Sequence, residues 1–85
     1  MMKNALAEVQ DREILTRMIY EEYKTLALTK KQYSRLINRS IASIDRDRAM
    51  SRGAACIQDE NNRVYFPIQA VVSYLLKVQK TIDSE

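Results

Sequence analysis

At 85 residues the chain is sized for one domain, and a domain this small is marginally stable unless its helices or a partner add contacts. A content of 46% hydrophobic and 29% charged residues places it among ordinary globular domains rather than disordered chains. A single Cys and no His exclude an intrachain disulfide and a Cys/His zinc site, and they leave no imidazole to activate a nucleophile.

Residues 3–24 contain no Gly or Pro and many strong helix formers, so one long helix is predicted there. Leu15, Met18, Ile19 and Leu26, with Ile14 and Tyr23 beside them, form its apolar stripe, and its first half offers only Leu6 and Val9. Asp11 could instead cap a shorter helix beginning near Arg12. This helix either covers one side of the domain or makes a dimer contact, and the first of these is favoured. Thr25 to Leu28 is apolar and partly β-branched, which suggests a few extended residues.

Next come two short helices joined by a tight turn. Thr29 is placed to cap the first, with Gln32 at the spacing of a capping box and Tyr33, Leu36 and Ile37 on its inward face. Asn38 can end that helix in a left-handed conformation, and Ser40 can cap the next. In the second helix Ile41 and Ile44 share the inward side, whereas Ala42, Ser43, Arg46 and Met50 face away. By helical angle Arg48 falls near Ile41 and Ile44, and a carboxylate of the N-terminal helix is its expected partner.

Gly53 suits a sharp turn. Two strand-like runs, Ala54 to Gln58 and Arg63 to Phe66, then flank Asp59-Glu60-Asn61-Asn62 as a β-hairpin. Ile57, Val64 and Phe66 are expected inward, and Asn61, Asn62 and Arg63 outward at the tip. Pro67 suits the first position of a closing helix, along which Ile68, Val71, Val72, Leu75 and Val78 make a stripe with Tyr74 and Leu76 alongside. The tail from Lys80 onward reads as frayed.

Charge is concentrated. Residues 29–52 carry seven basic groups against Asp45 and Asp47, a balance of +5 that the flanks reduce to +3 for the chain. A local field of that kind attracts and steers a polyanion. Cys56 reads as a small core residue, and the carboxylate pairs read as solvated faces, so no enzymatic activity, cofactor, metal or small-molecule substrate is expected. No apolar run approaches the roughly 18 residues that a bilayer span needs. Glu8, Asp11 and Glu13 stand where a signal peptide would be apolar, so a cytoplasmic setting without membrane contact is expected.

The segments LTKKQYSRLINRSIASIDRDR, RG and NRVYFPIQAVVSYL resemble the winged helix-turn-helix family of phage excisionases and AlpA-like regulators, related to the MerR DNA-binding head. The likeness covers about residues 26–78. It implies a mainly α fold with a small β-hairpin and a winged helix-turn-helix domain over residues 26–80; residues 1–25 are an added N-terminal helical extension outside the likeness, and 81–85 read as a tail. It also implies site-specific binding of double-stranded DNA, for transcriptional control or recombination directionality, with the second helix in the major groove and the hairpin on the flanking backbone or minor groove. Ser40 matches the family's capping serine, Ser43 and Ile44 its Thr-Ile pair, Arg46 a basic contact and Arg63 the wing arginine. Asp47 stands where many members carry a bulky aromatic or aliphatic residue. Lys30, Lys31, Arg39, Ser40, Ala42, Ser43, Arg46, Arg52, Asn61, Asn62 and Arg63 are therefore the candidate DNA contacts. The rival expectations are a protein-interaction module working through the N-terminal helix, including a homodimer, and RNA binding, for which no exposed aromatic platform is evident.

Overall fold

The computed structural model describes residues 5–83, with side chains described over residues 9–78. The described chain runs in the order α1 (Ala5–Tyr23), β1 (Ala27–Thr29), α2 (Lys30–Ile37), α3 (Ile41–Ala49), β2 (Ile57–Gln58), β3 (Val64–Pro67) and α4 (Ile68–Asp83). It is mainly helical with a small antiparallel sheet of strand order β1-β3-β2.

The α2–α3 pair forms as its capping residues dictate. The Gln32 amide donates to Thr29 Oγ1 at 3.1 Å, and the Thr29 amide donates to Gln32 Oε1 at 2.9 Å, which closes the capping box. Asn38 takes the left-handed conformation at φ 57°, and its amide and that of Arg39 return to carbonyls of α2. Ser40 then accepts from the Ser43 amide at 3.1 Å and starts α3. Gly53, at φ 84°, makes the turn that Cβ-bearing residues resist.

The hairpin forms as β2 against β3, and the extended stretch after Lys24 becomes a third strand. Leu28 lies opposite Phe66 in this register, and both are buried. Pro67 ends β3 instead of opening α4. It lies opposite Ala27, and the Ile68 amide donates to the Leu26 carbonyl at 2.9 Å. α4 continues to Asp83, so the frayed tail expected from Lys80 is helical that far, and residues 84–85 lie outside the described residues.

Every layer contributes to one core: Ile19 from α1, Leu28 from β1, Tyr33 from α2, Ile44 from α3, Val64 and Phe66 from β3, and Ile68, Val71 and Val72 from α4. Tyr33 stacks on Phe66 with ring centroids 4.1 Å apart and planes 19° from parallel.

Three inward placements need correction. Ile57 is 56% exposed, because the antiparallel register sets it opposite Tyr65, on the sheet face away from Val64 and Phe66. Ile41 is 41% exposed: as the first residue of α3 its side chain leans toward the helix start, beyond the packed surface under Ile44. In α1 the inward row is Leu15, Ile19 and Tyr23 at four-residue steps, which leaves Ile14 and Met18 exposed, and Leu26, expected on the same stripe, lies beyond the end of the helix and is exposed. α1 also starts before Asp11, so that residue caps nothing, while Leu6 lies outside the described side chains and Val9 is exposed.

α1 lies along α4. Arg12 Nη1 donates to Gln69 Oε1 and Arg12 Nη2 to Ser73 Oγ, both at 2.8 Å, while Ile19 reaches the core. α1 therefore covers one side of α4.

Candidate nucleic-acid interface

α3 is anchored by one buried side chain, Ile44, and its cap; the rest of its surface is open to a greater or lesser degree. Ala42 and Arg46 are exposed, and Ser43 is half-buried. Arg46 has no ion-pair partner among the described residues, and the same holds for Lys31, Arg35 and Arg63. Arg35, exposed on the last turn of α2, joins the candidate contacts although no motif in the sequence marks it.

The remaining basic groups of this unit are held by the two carboxylates. Lys30 Nζ lies 2.9 Å from Asp45 Oδ1, and Arg48 Nη1 lies 3.4 Å from the same oxygen. The Lys30 hydrogen bond, with help from Arg48, holds the Asp45 carboxyl below its ordinary range, against an opposing effect of burial. Arg48 therefore pairs one turn back on its own helix and not with α1, which packs on α4. Its Nε is buried without a hydrogen-bond partner among the described residues.

Asp47 collects two arginines. Arg39 Nη1 lies 2.8 Å from Oδ2, and Arg52 Nη2 lies 3.3 Å from Oδ1. Arg39 Nη2 also donates to Ser43 Oγ. Ser34 pins the Arg39 backbone from both sides, its carbonyl accepting from the Arg39 amide and its hydroxyl donating to the Arg39 carbonyl. The Arg52 amide in turn donates to the Asp47 carbonyl at 2.7 Å. Ser43 and the two arginines, read from sequence as independent contacts, thus belong to one hydrogen-bonded network. Only Ser43 and Asp47 share a helical face at a four-residue step, since Arg39 lies in the turn before the Ser40 cap. Arg52 follows no such spacing.

The hairpin tip is ordered by Asp59, whose Oδ1 accepts from the amides of Asn61 and Arg63, each at 2.9 Å. Asn62 adopts a left-handed conformation at φ 65° and accepts from Gln58 Nε2 at 3.2 Å. Asn61, Asn62 and Arg63 are exposed, as expected of a tip.

Beside the end of α3 an open hollow of about 580 Å³ is lined by Asp45, Arg48, Arg52 and the chain from Gly53 to Cys56. Cys56 itself is half-buried against the core. Among the described residues no group of three His, Cys, Asp or Glu side chains could hold a metal ion, and no helix is long and apolar enough to cross a membrane. No family model, curated protein or solved structure matches this chain.

Proposed function

We propose that the protein is a small sequence-specific double-stranded DNA-binding regulator of the winged helix-turn-helix type, in which α3 enters the major groove and the β2–β3 hairpin follows the flanking backbone or minor groove. The observation that carries this reading is the surface of α3: a short capped helix whose one buried side chain is Ile44, with Ala42 and Arg46 exposed and Arg46 unpaired by any carboxylate among the described residues. Lys31 and Arg35 on α2 and Arg63 at the hairpin tip are exposed and add charge without an ion-pair partner among the described residues. Small side chains let a helix sit deep in the groove, and an arginine is the commonest reader of guanine edges. In this reading Arg46 specifies, while Lys30, Lys31, Arg39, Arg52 and Arg63 position the protein on phosphates.

Selection from random duplexes, followed by affinity measurements across salt concentrations, tests the proposal. Log affinity is expected to fall linearly with log salt, by about 0.9 per neutralised phosphate. Arg46→Ala is expected to cost ~1–3 kcal/mol on the selected site and relax preference at one base pair, whereas Lys31→Ala weakens all sequences alike. Absence of duplex binding at low salt, or an affinity indifferent to salt, would falsify the reading; preference for single-stranded RNA in competition would reassign it.

A second reading rests on the outer side of α1. Ile14 and Met18 are 52% and 60% exposed, and Tyr20 and Leu26 border an open groove of about 760 Å³ at the start of α4. An apolar surface of this kind suits a protein partner or a second copy of the chain. Ile14→Gln with Met18→Gln leaves Ile19 in place, so a mass that falls to the monomer's without loss of fold identifies this face as the contact.

A further inference from the structure

The DNA-binding reading, on which the following rests, leaves Asp47 unexplained: a carboxylate in the middle of a basic unit lowers attraction for a polyanion wherever its charge is felt. Its surroundings suggest a different use. The Asp47 side chain is only 15% exposed, whereas those of Arg39 and Arg52 are 41% and 57% exposed. The anion is therefore mostly sheltered, and the two cations around it remain largely accessible.

Each arginine reaches Asp47 through its own oxygen, so the two guanidiniums flank a single carboxylate. Both are tethered near their backbones as well, Arg39 by Ser34 and Arg52 by the Asp47 carbonyl. A guanidinium carries five N–H donors. Arg39 uses two of its nitrogens on Asp47 and Ser43, and Arg52 uses one on Asp47 and Met50 Sδ. Donors remain for an incoming anion. Two guanidiniums and one carboxylate leave a residual charge of one, which a single phosphodiester neutralises.

We propose that Asp47 is a positioning residue: it holds Arg39 and Arg52 side by side as a paired grip for one backbone phosphate, and so sets the register in which Arg46, on the same helix, meets the bases. Long flexible side chains lose rotamer freedom when they bind, and a pair already fixed by a sheltered carboxylate has less to lose. Phosphate contacts of this kind confer specificity through register rather than through sequence readout.

Asp47→Asn separates positioning from bare electrostatics, because it raises the net charge by one while removing the anion that holds both arginines. The test compares affinity for the site selected by the wild type with affinity for random duplex of equal length at one salt concentration. The positioning role predicts that the ratio of the two affinities falls about tenfold, the scale of one lost base contact, while affinity for random duplex stays level or rises. A uniform rise on both DNAs overturns it and leaves the DNA-binding reading standing. Failure of the wild type to bind duplex overturns the underlying reading instead. Should Asp47→Asn unfold the chain, as judged by circular dichroism, Arg39→Lys takes its place: it keeps the charge but lacks the fork that spans Asp47 and Ser43. A folded Arg39→Lys variant with an unchanged affinity ratio also overturns the proposal, and a tenfold lower ratio sustains it.

Discussion

Tyr33 joins local sequence to the whole core through one ring. It is 2% exposed and stacks on Phe66, with the Ala54 backbone beside its phenol oxygen. Burial raises its pKa above the ordinary 10.0, with the Ala54 backbone pulling the other way. The unfolded chain then releases the Tyr33 proton at lower pH than the folded chain does. The stability due to neutral burial is thus fully present below 10.0 and declines as pH rises toward the raised folded value. Tyr33→Phe keeps the stack and loses the hydroxyl. It is expected to be about 1 kcal/mol less stable at neutral pH, with the gap closing above about pH 10 in urea titrations. A gap that stays constant up to about pH 11 would contradict this account. Asp45 acts at the acid end: its carboxyl is lowered chiefly by Lys30, so its contribution holds above the ordinary 3.8 and is lost as pH falls through the lowered value. Because the pair is exposed the effect is small, and Asp45→Asn should flatten the acid limb slightly without moving the neutral plateau.

At the scale of elements, α1 separates what periodicity determines from what packing determines. Its apolar residues lie in adjacent rows, and the row that turned inward is Leu15, Ile19 and Tyr23. Ile19→Ala is accordingly expected to cost about 2–5 kcal/mol, whereas Met18→Ala, one residue away and 60% exposed, should remain within about 0.5 kcal/mol. Chemical unfolding of the two variants checks the pair, and similar losses for both would mean that the inward face is wrongly placed. The capped ends behave differently. Thr29, Gln32, Asn38 and Ser40 do in the structure what their side chains predict, since each acts on backbone within a few residues of itself. Ile57 does not, because its face depends on the strand opposite, and no local pattern states that register.

The whole molecule has one core to which α1 contributes Ile19, and so α1 is part of the folding unit whatever its role toward partners. Removing residues 1–24 strips the cover from α4 and uncovers apolar surface in a chain of already marginal size. The truncated protein is expected to lose its cooperative thermal transition; if it instead melts as sharply and as high as the full chain, α1 contributes no stability. Loss of DNA binding in that truncation would consequently say nothing about dimers, and substitutions at Ile14 and Met18 are the sharper probe. Element types, the α2–α3 turn, the hairpin and the concentration of charge in residues 29–52 all follow from the linear sequence, because caps, turn residues and periodicity act over a few positions. Three features follow only from tertiary structure: the pairing of β1 with β3, the choice of inward row in α1, and the gathering of Arg39, Ser43 and Arg52 around Asp47. Each joins residues from different elements or loops, and a sheltered carboxylate on α3 becomes the partner of arginines in the turn before it and the loop after it only once those segments fold back against the helix.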